Sequence, residues 1–305
     1  MQVVLEEESL RDGLQGESRL FSLTEKMELV RLLVEAGVRR LQLGSFVHPR
    51  TVPQMANTDA LVALVRLQYP QILCTALVLN EKGLERAVRS DLDHLSMSVS
   101  VSDSHSRRNT GRSASKALEN MCRLIGRAVA EGLRVRAGLQ CAFGCSDEGD
   151  IPAAKVLATV TRMVEAGADE INLADTTGMA GPHQIKQLVA RIRSAYPQVT
   201  LSLHCHDTRG LGLVNLYAGY EAGVRIFDTS AGGLGGCPFV QGAGGNVATE
   251  DAVHLFAGMG RETGIDRDLF CRVVDHYETL LERPLPGRMC RVLRGRSGAD
   301  GAPGC

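Results

Sequence analysis

The stretch Thr200-Leu-Ser-Leu-His204-Cys-His206-Asp-Thr-Arg-Gly210 decides how the rest of the chain is read. Its first half alternates apolar and polar residues, the pattern of a half-buried strand. Residues two apart on a strand point to the same face. His204 and His206 therefore bring two imidazoles to one point, which is half of a metal site. The competing reading is one packed histidine and one solvated histidine, and the tripeptide alone does not separate the two. Beyond Gly210 the pattern turns helical over 210–222, so the stretch is one strand–helix unit.

The same unit recurs along the chain. Short apolar runs that read as strands fall at 3–8, 39–45, 72–78, 93–98, 133–141, 169–174, 200–206 and 225–230. Helical patterns lie between them near 23–36, 56–69, 81–89, 115–131, 152–166, 183–195 and 210–222. Ser22-Leu-Thr-Glu25 has the form of a capping box, and Pro152 stands at a first-turn position. Gly37, Gly132, Gly167 and Gly223 each close a helix ahead of a strand. Eight such units predict an α/β fold, a (β/α)8 TIM barrel, in preference to a doubly wound open sheet. Extra C-terminal helices are predicted after Thr249 and near 267–281, giving a barrel domain over residues 1–290. The Gly/Arg/Ser-rich remainder, 291–305, is expected to be disordered.

Composition narrows the function. The 305 residues are 44% hydrophobic and 23% charged, with a formal charge of -1, so no basic surface is available for nucleic acid or acidic membranes. No apolar run approaches the length that spans a bilayer. Met1-Gln-Val-Val-Leu-Glu-Glu carries neither a basic region nor an apolar signal core. The nine cysteines lack the spacing of a disulfide framework. These features predict a cytoplasmic protein with mostly reduced thiols.

Active sites of such barrels gather where strands end and loops begin. Arg11 and Asp12 follow the first predicted strand, Gln42 and Ser45 the second, and Cys141 and Cys145 the fifth. The sixth ends in Asp175-Thr176-Thr177-Gly178, the seventh in His204 and His206. The glycine-rich stretch 232–245 after the eighth contains Cys237 and leads to Asn246. It is too long for a dinucleotide turn and lacks Gly-Lys-Ser/Thr, so it reads as a flexible loop over the barrel mouth. A carboxylate, two imidazoles and an amide oxygen suit Mg²⁺ or Mn²⁺, and the set lacks the thiolates of structural zinc. Cys141-x3-Cys145 has no second pair at ligand spacing. Cys237 is read either as an acid–base thiol or as a packing residue. Arg11 is read either as an oxyanion stabiliser or as a salt-bridge partner of Asp12.

The blocks LRDGLQ (10–15), SFVHPRTVPQM (45–55), LQCAFGCSDEG (139–149), LADTTG (173–178), HCHDT (204–208) and GGLGGCPFVQGAGGNVATED (232–251) resemble the 3-hydroxy-3-methylglutaryl-CoA lyases. These belong to a metal-dependent TIM-barrel superfamily that also holds the isopropylmalate and homocitrate synthases. The glycine loop with its internal Cys and Asn marks the lyase branch, whereas Arg-Asp-Gly and His-x-His mark only the superfamily. The resemblance implies that Asp12, His204, His206 and Asn246 bind a divalent metal, Mg²⁺ or Mn²⁺. It implies that Arg11 steadies a thioester enolate, that Cys237 transfers a proton, and that Gln15, Ser45 and Thr176 line the acyl-CoA site. The implied reaction cleaves 3-hydroxy-3-methylglutaryl-CoA or a related 3-hydroxyacyl-CoA to acetyl-CoA and acetoacetate or another keto acid, as in leucine degradation, in a homodimer.

Gln42 departs from the family, which has glutamate there. It keeps the reach but cannot exchange a proton. A slow lyase, an enzyme for a related acyl-CoA, and an acyl-CoA-binding paralogue without turnover all remain open. His48 and Arg50 also depart from the usual residues. A condensing enzyme of the same superfamily is the second enzyme reading, and the short region after the glycine loop weighs against it.

Overall fold

The chain closes eight parallel strands into a barrel: β1 (Val4–Glu7), β2 (Arg40–Ser45), β3 (Leu73–Leu77), β4 (His94–Ser100), β5 (Arg134–Gln140), β6 (Glu170–Asp175), β7 (Thr200–Cys205) and β8 (Ile226–Thr229). Each strand pairs with its sequence neighbours, and β8 closes against β1. The computed structural model describes residues 2–90, 92, 94–236 and 244–299. The TIM barrel predicted from the repeating units is the fold observed, with every strand within two residues of its expected limits.

Helices α1 (Leu23–Glu35), α2 (Thr58–Gln68) and α3 (Glu81–Val88) cover the first strands. The helices α4 (Asp103–Thr110), α5 (Ala114–Ala130), α6 (Ala153–Glu165), α7 (Pro182–Ala195) and α8 (Gly212–Glu221) continue the ring. Ser22 and Glu25 form the expected capping box at the start of α1. Gly37 follows α1 with φ +96°, and a Cβ there would lie 2.2 Å from the Gly264 carbonyl oxygen. Only glycine fits that combination of left-handed backbone and close approach. No expected helix falls on α4, because Asp-Ser-His-Ser-Arg-Arg-Asn-Thr has no apolar period. Its signals are local: the Ser102 hydroxyl accepts from the His105 amide, and Gly111 ends it at φ +70°.

Alternation along the strands sorts the side chains. Leu41 and Leu43, Val135 and Leu139, Ile171 and Leu173, and Leu201 and Leu203 are buried in the apolar core. The intervening positions are polar and meet one another. Arg40 donates from Nε to Glu6 (2.6 Å) and from a terminal nitrogen to Glu170 (2.8 Å), while Thr75 donates to Glu6 (2.6 Å). One layer nearer the mouth, Arg136 pairs with Glu8 (3.2 Å), Glu170 (3.1 Å) and Asp228. TIM barrels are usually filled by branched apolar side chains. Here four carboxylates face two guanidinium groups, all buried.

Helices α9 (Thr249–Gly258), α10 (Arg267–Leu281) and α11 (Met289–Ala299) follow the barrel. The tail differs from the expectation of disorder from residue 291: it is helical through Ala299. Cys290 is joined to Cys271 of α10 by a disulfide, and Arg294 pairs with Glu278 at 2.8 Å. These cross-links hold a segment whose composition alone offers little to pack. Residues 300–305, including Cys305, lie outside the described residues. The disulfide also qualifies the expectation of reduced thiols, although Cys74, Cys122, Cys141, Cys145 and Cys205 are not disulfide-bonded. No helix among the described residues is long and apolar enough to cross a membrane.

Two predictions follow from this packing. Breaking a buried ion pair by removing one partner costs ~3–5 kcal/mol, so Arg136→Met should lower unfolding free energy by about that much in urea titration at pH 8, and by less at pH 5, where stranded carboxylates take up protons. Glu250 of α9 is buried, and burial pushes its carboxyl up to about 8. The folded chain thus holds a proton that the unfolded chain releases above its ordinary value of 4.5. The resulting stability is complete below that value and is lost as pH rises toward 8. Glu250→Gln should make the pH slope of stability less negative across this window, by up to ~1.4 kcal/mol per pH unit.

Candidate active site

Directly after β1 the chain makes a π-helical turn, Ser9–Gly13, that lifts Arg11 and Asp12 to the barrel mouth. His204 is on β7, and His206 stands just beyond its end. Asn246 returns from the glycine-rich segment to form an antiparallel bridge with His206. This bridge brings a residue far along the chain to the end of β7. Asp12, His204 and His206 each offer a ligand atom within 4.8 Å of the others, the geometry of a group that could hold a metal ion. The two imidazole rings lie 5.1 Å apart. Asn246 is at the same point: its side-chain amide nitrogen donates to Asp12 Oδ2 (2.8 Å) and to the Leu234 carbonyl (2.9 Å). In this orientation it presents nitrogen, not oxygen, to Asp12.

Each member of the group is fixed from behind. His204 Nδ1 lies 3.0 Å from Asp228 Oδ2, so Asp228 orients the ring and leaves Nε2 for the cavity side. Burial would keep His204 neutral, but Asp228, with Glu8 and Asp12 nearby, outweighs it and raises the imidazole's proton affinity. Burial also opposes ionisation of Asp12, yet the adjacent Arg11 guanidinium and the nearby His206 and His204 imidazoles hold its carboxyl well below the usual range. His206 Nδ1, Asn246 Oδ1 and Asp228 Oδ1 are buried without a hydrogen-bond partner among the described residues. Buried polar atoms are rarely left so, and a cation bound by Asp12, His204 and His206 suits this donor set.

Arg11 is held on three sides. Its Nε donates to Gln42 Oε1, one terminal nitrogen to Asp12 and the other to Glu8. Glu8 also accepts from Gln42 Nε2 at 3.1 Å. Burial pushes the Glu8 carboxyl up to about 7, against the opposing pull of Arg11. A cavity of about 280 Å³ opens above the group. Glu8, Arg11, Asp12, Gln15, Thr176, His204 and His206 line it, together with Arg136 and Asp228.

The residues expected at the site do not all face this cavity. Gln15 and Thr176 line it, and Thr176 also accepts from the Cys141 amide (2.9 Å). Gln42 stands behind Arg11 as a hydrogen-bonding partner. Ser45 is buried, and its hydroxyl donates to the Leu77 carbonyl (3.3 Å). Cys141 and Cys145 join no metal-capable group among the described residues, where the second such group is Glu8, His204 and Asp228. Cys237 lies outside the described residues. Sequence reasoning missed Glu8, Arg136 and Asp228. Arg136 and Asp228 stand as charged residues in otherwise apolar strands, and Glu8 ends the run Glu6-Glu7-Glu8.

The HMGL-like family model matches residues 2–276. The (R)-citramalyl-CoA lyase of Chloroflexus aurantiacus is 39% identical over 94% of this chain and 92% of its own. The hydroxymethylglutaryl-CoA lyase YngG of Bacillus subtilis is 33% identical over 96% and 97%. An HMG-CoA lyase from Acinetobacter baumannii, solved in complex with coenzyme A and 3-methylmalate, superposes with a TM-score of 0.89 at 34% identity, covering 95% and 94% of the two chains. From barrel, cavity and near end-to-end similarity alike, the chain belongs to the HMGL-like family, as a carbon–carbon lyase resembling the hydroxymethylglutaryl-CoA lyases.

Proposed function

We propose that the enzyme cleaves a branched 3-hydroxyacyl-CoA to acetyl-CoA and a keto acid with the help of a divalent cation, Mg²⁺ or Mn²⁺. The observation that carries this reading is the gathering of Asp12, His204 and His206 beside Arg11 at the cavity. Asp12 and the two imidazoles hold the ion, and Asn246 joins them once its amide is turned over. When bound, the ion supplies Lewis acidity to the hydroxyl and carboxylate of the acyl group.

The chain's own residues do the rest. A base in the cavity takes the proton of the 3-hydroxyl, and the bond between C2 and C3 breaks as the carbonyl of the keto acid forms. The electron pair of that bond becomes the enolate of the acetyl thioester. Arg11, fixed by Glu8, Asp12 and Gln42, presents positive charge to that enolate without reorganising. Protonation of the enolate carbon yields acetyl-CoA. Gln15 and Thr176 line the acyl-CoA side of the cavity, and Cys237 retains the proton-transfer role implied by resemblance.

Two substrates suit the reading. Hydroxymethylglutaryl-CoA would give acetoacetate, and citramalyl-CoA would give pyruvate by the same bond cleavage. The 39% identity to the citramalyl-CoA lyase favours testing the second beside the first. With Mn²⁺ present, at least one thioester should release its keto acid together with acetyl-CoA, and a chelator should abolish the release. Failure to cleave either would reject the activity. Asp228→Asn should weaken Mn²⁺ binding ~10–100-fold, measured by calorimetry, because the partner that orients His204 loses its charge. Unchanged affinity would remove His204 from the ligand set.

A further inference from the structure

The three donor sites of the Arg11 guanidinium meet three acceptors of different kinds. Gln42 is a neutral amide, Asp12 belongs to the proposed ligand group, and Glu8 is a carboxylate behind both. An Asp12 bound to a cation shares its charge with that cation. Gln42 has none to give. Glu8 is then the acceptor on this fork that supplies a full compensating charge. It is buried on the β1 face that looks into the barrel, and it reaches Gln42 on β2 at 3.1 Å.

We propose that Glu8 is the positioning residue that sets the direction and charge of Arg11 in this site, and that Glu8 and Gln42 form one carboxylate–amide pair whose charge can sit on either strand. The proposal rests on the lyase reading above. With Glu8 ionised, its oxygen fixes the Arg11 terminal nitrogen, and Gln42 fixes Nε, so the remaining face of the guanidinium points to the cavity. With Glu8 protonated, that anchor weakens. Glu8 also touches Arg136, but Arg136 keeps Glu6, Glu170 and Asp228 when Glu8 is neutralised. No hydrogen bond joins Gln42 to Arg136 among the described residues. This asymmetry separates a role through Arg11 from a general structural one.

The test compares Glu8→Gln with the exchange Glu8→Gln/Gln42→Glu in the metal-loaded enzyme. Misplacing a catalytic group by about 1 Å costs on the order of 10²-fold. Glu8→Gln should therefore lower kcat ~10²-fold, while KM and Mn²⁺ affinity stay within about twofold. The exchange variant should recover at least ~10-fold of that loss. A Glu8→Gln enzyme with unchanged kcat, or an exchange variant no faster than Glu8→Gln, would overturn the proposal. If Glu8→Gln does not fold, the exchange variant decides alone: folded and active supports it, folded and inactive overturns it. A wild type that cleaves neither thioester removes the lyase reading, and this proposal with it, whereas an active wild type matched by Glu8→Gln removes only the role of Glu8.

Discussion

The architecture turns on Arg136. Its guanidinium lies in the middle of the barrel, where it pairs with Glu8, Glu170 and Asp228 and approaches Glu6 at 3.6 Å. Those carboxylates come from β1, β6 and β8. Without a central cation, four buried negative charges would be left to Arg40, Arg11 and His204 at the edges or to protons. Desolvating a single charge costs several kcal/mol, so the central guanidinium stabilises the barrel in this register. Replacing the whole set by apolar residues would also fill the space, but it would remove the polar floor on which the site stands.

That floor connects fold to chemistry. Asp228 receives Arg136 on one side and orients His204 on the other. Glu8 receives Arg136 from below and Arg11 from above. The Asp12, His204 and His206 group and Arg11 are thus aligned by charged pairs inside the barrel. Hydrogen bonds behind a metal ligand tune its orientation and basicity. From the surrounding helices, Tyr277 of α10 donates to Ser9 of the π-helical turn at 2.9 Å. The loop after β8 contributes Asn246, clipped opposite His206.

Much of this was legible in the sequence, for identifiable reasons. Strands of β/α units have a period that survives in the chain, and their ends mark the rim, so Arg11, Asp12, Thr176, His204 and His206 could be placed together. Asn246 could be placed on the same rim because it follows β8, but no local pattern says that the glycine-rich segment returns to β7 as a bridge to His206. Ser45 sits at a strand end like the others, but it turns toward the Leu77 backbone. Charged residues at alternate strand positions ordinarily face water, and the sequence does not say that Glu6, Glu8, Arg136 and Asp228 face one another instead. Helix α4 and the last turns of α11 escaped for another reason. They are held by caps, ion pairs and a disulfide, none of which leaves an apolar period.

The central claim is that Asp12, His204 and His206 converge on one cation. Pulsed electron paramagnetic resonance of the Mn²⁺-loaded protein tests it most directly. The account predicts one tightly bound ion per chain, with magnetic coupling to two imidazole nitrogens, one of which is lost in His206→Gln and the other in His204→Gln. An ion with no nitrogen coupling, or with coupling that survives both substitutions, would contradict it.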